Sequence, residues 1–240
     1  PLDSWVYSYI EKFAALGYVQ SYIGGILPLT RMEVASLISE ARERHDEKGK
    51  DLYIEKLLLH LERRFREEIE IVKGEDIHLS YIKPLDQFYF EYTYLSEQKD
   101  MENESGRIYG ENNNFQGGFI TRGEVGRHFA FLLHPEFRER GDDRGYETEL
   151  IEAYGKFSLG FLELEGGRDT LWWGQGRHGS LHLTNNAQPF KLIKVSSTPI
   201  VLPWIFKYLG IFKASFFTAK LEEDRPNPDI LTRQIIIENI

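Results

Sequence analysis

The sequence predicts a mainly antiparallel β chain that follows a small helical bundle. Three observations carry that reading. The apolar spacing changes from a period near 3.6 to a period of 2 after Gly74, the aromatic residues crowd into segments after residue 80, and polar stretches rich in Gly, Asn and Asp separate the alternating runs. With 240 residues, 41% of them hydrophobic and 14% aromatic, the chain can bury a sizeable core and is too apolar for a disordered one.

Residues 1–73 read as a bundle of three amphipathic helices. The first opens near Asp3 and Ser4, sets Val6, Ile10, Phe13 and Ala14 at helical spacing, and stops at Gly17. The second begins at Thr30-Arg31-Met32-Glu33, where the Thr hydroxyl can cap a first-turn N–H while the Glu reaches back to the cap residue. Val34, Leu37, Ile38 and Ala41 form its apolar face. The third carries Ile54, Leu57, Leu58, Leu61 and Phe65 on one face and a charge-laced surface from Glu62 to Glu70 on the other.

Residues 74–240 read as strands. Phe88, Phe90, Tyr92 and Tyr94 form one face against Gln87, Tyr89, Glu91 and Thr93 on the other. Val125, Arg127, Phe129, Phe131 and Leu133 alternate with Gly126, His128 and Ala130, and Ala153, Phe157 and Leu159 alternate with Tyr154, Lys156 and Ser158. Ile211 to Leu221 and Thr232 to Ile240 complete the set. Polar loops fall at Glu97 to Asn114, Arg138 to Tyr146 and Glu222 to Asp229. Long loops alternating with short connections suit a membrane β-barrel, and a β-sandwich under a helical cap, soluble and capable of carbohydrate processing, is the alternative.

Composition excludes several classes. The formal charge of −9 and the absence of a basic stripe argue against a nucleic-acid partner. Zero cysteines remove disulfides, thiolate metal sites and cysteine nucleophiles together. No apolar run approaches the roughly 18 residues of a spanning helix, which leaves transmembrane strands open.

The most distinctive stretch is Gly167 to Phe190. It has no periodicity yet concentrates Arg168, Trp172, Trp173, Arg177, His178, Asn185 and Asn186 among several glycines. Indole faces stack on the C–H faces of sugar rings, and Arg, His and Asn supply planar donors and acceptors for hydroxyl groups, so these seven residues are the candidate polysaccharide-binding set. The alternative is that the tryptophans wedge a loop against the wall and the polar groups satisfy its backbone. His178 and His182 stand four apart, but Gly179 lies between them in an extended run, so no metal and no cofactor are expected. The acid pair Glu163 and Glu165 and the isolated Ser180 lack the context of a glycosidase or a Ser-His-Asp hydrolase, and no catalytic residue is expected.

Pro1-Leu2-Asp3-Ser4-Trp5, Leu16-Gly17, the Thr30-Arg31-Met32-Glu33 helix start, Trp172-Trp173 with Gly176-Arg177-His178-Gly179-Ser180-Leu181, Asn185-Asn186-Ala187, Pro189, Leu202-Pro203, Leu209-Gly210 and the stretch from Arg225 to Arg233 together resemble the capsule assembly protein Wzi family. The resemblance runs from end to end and is most specific around Trp172-Trp173. It implies an antiparallel outer-membrane β-barrel behind a periplasmic helical bundle, a non-catalytic surface lectin that holds capsular or other extracellular polysaccharide on the bacterial cell, in contact with outer-membrane lipid and working as a monomer. About 165 residues follow the bundle, room for roughly 8 to 10 tilted strands. The family's barrels are longer, so residues 74–240 are expected to be the first part of a larger barrel whose chain continues beyond Ile240.

Overall fold

The computed structural model describes residues 4–49, 51–75, 80–100, 104–126, 128–141, 145–174, 176, 179–180, 183–201 and 210–220, and the backbone alone of 232–239. Within them each N-terminal apolar face becomes the buried side of a helix. In α1 (Trp5–Ala15) the Ser4 hydroxyl accepts the Val6 N–H, and Val6, Ile10 and Phe13 are buried. Gly17, at φ +73, turns the chain away, and the link to the next helix contains a two-residue strand, β1 (Ile26–Leu27). α2 (Arg31–Lys48) opens on the expected capping box: Thr30 Oγ1 accepts the Glu33 N–H at 3.2 Å and Glu33 Oε2 accepts the Thr30 N–H at 2.7 Å.

The third helix differs from the expectation. It divides at Phe65, whose φ of −117 and ψ of 24 leave the helical region, into α3 (Leu52–Arg64) and α4 (Arg66–Val72). Tertiary packing is the cause. Phe65 is buried with the Arg31 guanidinium 4.5 Å over its ring, and the bend sets Ile69 into the shared core and Glu68 against Arg31. Four helices rather than three therefore surround Ile10, Phe13, Ile38, Leu58 and Leu61.

The strands follow as β2 (Tyr81–Leu95), the short pair β3 (Lys99–Asp100) and β4 (Ile108–Tyr109), β5 (Asn112–Val125), β6 (Phe129–Glu139), β7 (Tyr146–Leu159), β8 (Leu162–Asp169), β9 (Trp172–Trp173), β10 (Phe190–Ser197), β11 (Ile200–Val201), β12 (Ile211–Lys220) and β13 (Thr232–Asn239). The long ones form one antiparallel sheet in the order β2-β5-β6-β7-β8-β10-β12-β13, with β11 continuing β10 along β12, and the sheet curls into a half-barrel. Beside it the described residues form two short two-stranded pairs, β1 with β9 and β3 with β4. The run from Val125 to Leu133, expected as one strand, is split after Val125, where Gly126 takes φ +62 and β5 hands over to β6. The short links from β5 to β6 and from β7 to β8 form the tight-turn end of the sheet. Longer connections at 96–111, 140–145 and 170–189 mark the other.

The pleat sorts the side chains of this sheet into two unlike faces. On the convex face Phe88, Phe90, Tyr92, Phe129, Phe137, Phe157, Leu164, Ile193 and Phe216 stand exposed, Phe88 at 68%. The concave face buries Gln116, Arg122, His134, Glu136, Arg138, Glu152, Glu165, Lys194 and Lys213. One face of the sheet is thus apolar and exposed, and the other charged and buried.

The helices stand at the tight-turn end of this trough. Lys213 Nζ on β12 lies 2.5 Å from Glu33 Oε1, and Asp86 on β2 receives Arg64 of α3 at 3.3 Å and Arg122 of β5 at 2.9 Å. β1 pairs with β9, Ile26 opposite Trp173 and Leu27 opposite Trp172.

Candidate functional site

The segment that leaves β8 turns inward rather than outward. Leu171 and Trp173 join Ile26 of β1, Leu192 of β10 and Phe217 and Ala219 of β12 in a second buried cluster on the concave face, with Leu183 and Phe190 against it. The indole of Trp173 meets the Phe217 ring edge-on, centroids 4.7 Å apart at 75°, and the residue is 2% exposed. Trp172 is buried beside it. The backbone is tied on both sides: Trp173 N–H donates to Leu183 O at 3.1 Å, Gly174 N–H to Gly25 O at 2.9 Å, and the Ser180 hydroxyl to Trp173 O. Both indoles are thus buried, Trp173 within this cluster.

The polar candidates lie further along. Arg168, at the end of β8, donates to Glu149 Oε1 at 2.7 Å, to Gln188 Oε1 at 3.0 Å and to Pro189 O at 3.3 Å. The Asn185 carbonyl accepts the Ser105 N–H at 2.7 Å, and the Asn186 N–H donates to Thr184 Oγ1 at 3.3 Å. Arg177 and His178 lie outside the described residues. The structure therefore brings Arg168, Asn185 and Asn186 to one rim, beside the connection at 96–111.

That rim is closed by a contact only glycine permits. A Cβ on Gly106, which sits at φ +71, would lie 2.7 Å from Gln188 N and 2.9 Å from its Cγ, so residues 104–107 and 183–189 touch backbone to backbone.

Beneath the rim runs a chain of alternating charges. Arg107 donates to Glu104 at 3.0 Å and grips Glu136 with two bonds of 3.0 and 2.6 Å. Arg138 lies 3.0 Å from the same carboxylate and also pairs with Glu149, which receives Arg168. Glu136 is 0% exposed and accepts in addition the Tyr89 hydroxyl, itself 2.9 Å from His134 Nε2. Burial works against the charge of Arg107, and the Glu136 carboxylate more than offsets it, holding the guanidinium above the ordinary arginine range. The chain Glu104, Arg107, Glu136, Arg138, Glu149, Arg168 thereby links the two connections through β6, β7 and β8. Among the described residues no group of three or more His, Cys, Asp or Glu is placed to hold a metal ion.

Sequence reasoning did not single out Arg107, Glu136, Arg138 or Glu149. A signal was present, because His134, Glu136 and Arg138 alternate with Leu133, Pro135 and Phe137 on β6, opposite acids on β7. The pairing itself depends on register between segments and is not written in any one of them.

Compared with known families, residues 93–233, more than half of the chain, match the model described as Capsule assembly protein Wzi. The match begins in β2 and ends in β13, so it takes in the inward-turning segment and most of the sheet. No curated protein and no solved structure matches the chain.

Proposed function

The chain belongs to the capsule assembly protein Wzi family, and from that premise we propose that it is a non-catalytic outer-membrane protein that binds and anchors capsular or other extracellular polysaccharide at the cell surface. In this reading the strands cross the lipid as part of a β-barrel, residues 1–73 form a bundle on the periplasmic side, and the long connections face outward. The observation that carries it is the inversion of the sheet. Exposed Phe88, Phe90, Leu150, Phe157, Leu164 and Ile193 would be a large aggregation-prone patch in water and are the expected wall of a barrel in lipid. β2, β5, β6, β7 and β12 have 10 to 15 residues, enough for a tilted crossing of about 9–11. Aromatic residues also gather toward both ends of the wall, Tyr92, Tyr94, Phe137 and Tyr146 near the long connections and Phe129, Phe157 and Phe161 near the tight turns, which suits two interfacial girdles.

Polysaccharide contact is assigned to the outer rim, where Arg168, Asn185 and Asn186 meet the connection at 96–111, with Arg177 and His178 of the same segment as further hydrogen-bonding groups. Trp172 and Trp173 support that rim from below. The ion-pair chain fixes the rim before ligand arrives, which lowers the entropy lost on binding. The helical bundle carries Glu11, Lys12, Arg42, Glu43, Arg63 and Arg64, charges unsuited to hydrocarbon, and so belongs outside the bilayer.

The test is a glycan array on protein refolded in detergent, read beside an Arg177→Ala/Asn186→Ala variant. Binding of one extracellular polysaccharide that the folded variant loses agrees with the assignment. A folded wild type that binds no polysaccharide, or a variant that binds as well as wild type, contradicts it.

A further inference from the structure

Between the helical bundle and the concave face of the sheet lies a cavity of about 680 Å³, well inside the usual range for small-molecule sites. It lies at the tight-turn end, away from the rim assigned above to polysaccharide. From the bundle side Leu29, Val34, Phe65 and Ile71 line it beside Arg31, Arg64, Glu68 and Glu75, and Ile120 and Leu132 line it from the sheet. Its polar lining is unbalanced: seven carboxylates face four permanently cationic side chains.

One of those carboxylates is incompletely satisfied. Glu68 is 2% exposed, and its Oε1 receives the Arg31 guanidinium while its Oε2 is buried with no hydrogen-bond partner among the described residues. An unmet carboxylate oxygen in such a place is costly unless something donates to it. Glu124 lines the same cavity as Glu68. Its own Oε1 accepts the Tyr81 hydroxyl at 3.2 Å, and that hydroxyl accepts Arg122 at 2.6 Å. The nearby arginines are thus already engaged, Arg31 by Glu68 and Arg122 by Asp86 and Tyr81.

We propose that this cavity binds a small organic amine, its ammonium group donating to Glu68 Oε2 beside Glu124 and its carbon frame lying against Phe65, Ile71 and Ile120. A dicarboxylate of the same length meets a surplus of like charge, and a neutral alcohol leaves that surplus uncompensated.

The experiment is calorimetric titration of the whole folded protein in detergent with 1,5-diaminopentane, and with 1-pentanol and glutarate as probes of matched carbon chain. The diamine should bind and the other two should not. Glu68→Gln should weaken the diamine by about 10- to 100-fold, the loss expected for one charge-assisted hydrogen bond. Equal binding of 1-pentanol, no diamine binding at all, or an unchanged affinity in folded Glu68→Gln would overturn the site. If Glu68→Gln does not fold, Glu124→Gln decides, several-fold weaker binding supporting the site and unchanged binding overturning it. The proposal does not rest on the polysaccharide reading, and either can fail alone.

Discussion

Replacing Trp173 separates a bracing role from a ligand-stacking one. The side chain is buried in the cluster of Ile26, Leu171, Leu192 and Phe217, so Trp173→Ala removes a large apolar volume where the surrounding strands are held in register and cannot collapse. A buried aromatic-to-Ala change costs about 3–5 kcal/mol, and the edge-on contact with Phe217 supplies roughly 0.5–1.5 kcal/mol of it. For a chain of this size 1 kcal/mol is worth about 2–4 °C, so the midpoint of unfolding should fall by roughly 6–20 °C. Trp173→Phe is the informative partner. The indole Nε1 is buried without a hydrogen-bond acceptor among the described residues, so Phe deletes an unmet donor along with part of the ring and should recover most of the loss. The assay is the unfolding midpoint of the detergent-refolded protein, read from the gel shift between folded and heated forms. A Trp173→Ala protein as stable as wild type, or a Trp173→Phe protein no better than Trp173→Ala, would refute the bracing role.

Other perturbations test separate joints. Lys213→Met should strand Glu33 without its buried partner and cost about 3–5 kcal/mol, while Glu33→Gln combined with Lys213→Met costs much less than the two single changes added; a double-mutant cycle on the unfolding midpoint measures the difference. Gly106→Ala puts a Cβ 2.7 Å from Gln188 N at a φ of +71 and should detach the connection at 96–111 from that at 170–189, seen as faster proteolytic nicking within 96–111 while the sheet stays folded. Phe90→Arg, at an exposed position on the convex face, should destabilise the protein in a bilayer by about 2–4 kcal/mol if the position lies near the midplane; in water it would be near neutral, so unfolding in vesicles measures it. Leu58→Asp should strip the bundle of its centre and leave the strand signal of the reconstituted protein largely intact by circular dichroism.

What was legible in the sequence was local. The α2 start could be read because Thr30 and Glu33 satisfy each other within one turn, and β2 because its aromatic and polar residues alternate strictly on the strand. The split at Phe65 was hidden, since it answers to Arg31 on another helix. The break after Val125 was hidden for a different reason: a link of three residues preserves the odd-even alternation, so Val125, Phe129 and Phe131 keep the parity of one unbroken strand. Within the segment from Gly167 to Phe190 the unusual composition marked a built structure, and the inward fold agrees with it. The composition did not reveal the burial of Trp173, because Phe217 and Ile26, which share its cluster, lie far along the chain in either direction. The ion-pair chain from Glu104 to Arg168 was equally out of reach, being assembled from a loop and three strands.

The central claim is that the convex face of the sheet meets lipid and the concave face meets water. The chain contains no cysteine, so single labels can be placed without background. Nitroxides at Phe90→Cys, on the convex face, and Glu91→Cys, exposed on the concave one, should respond oppositely in vesicles, the first to oxygen dissolved in the bilayer and the second to a water-soluble nickel chelate. A label at position 90 that the chelate reaches as readily as it reaches position 91 would contradict the account.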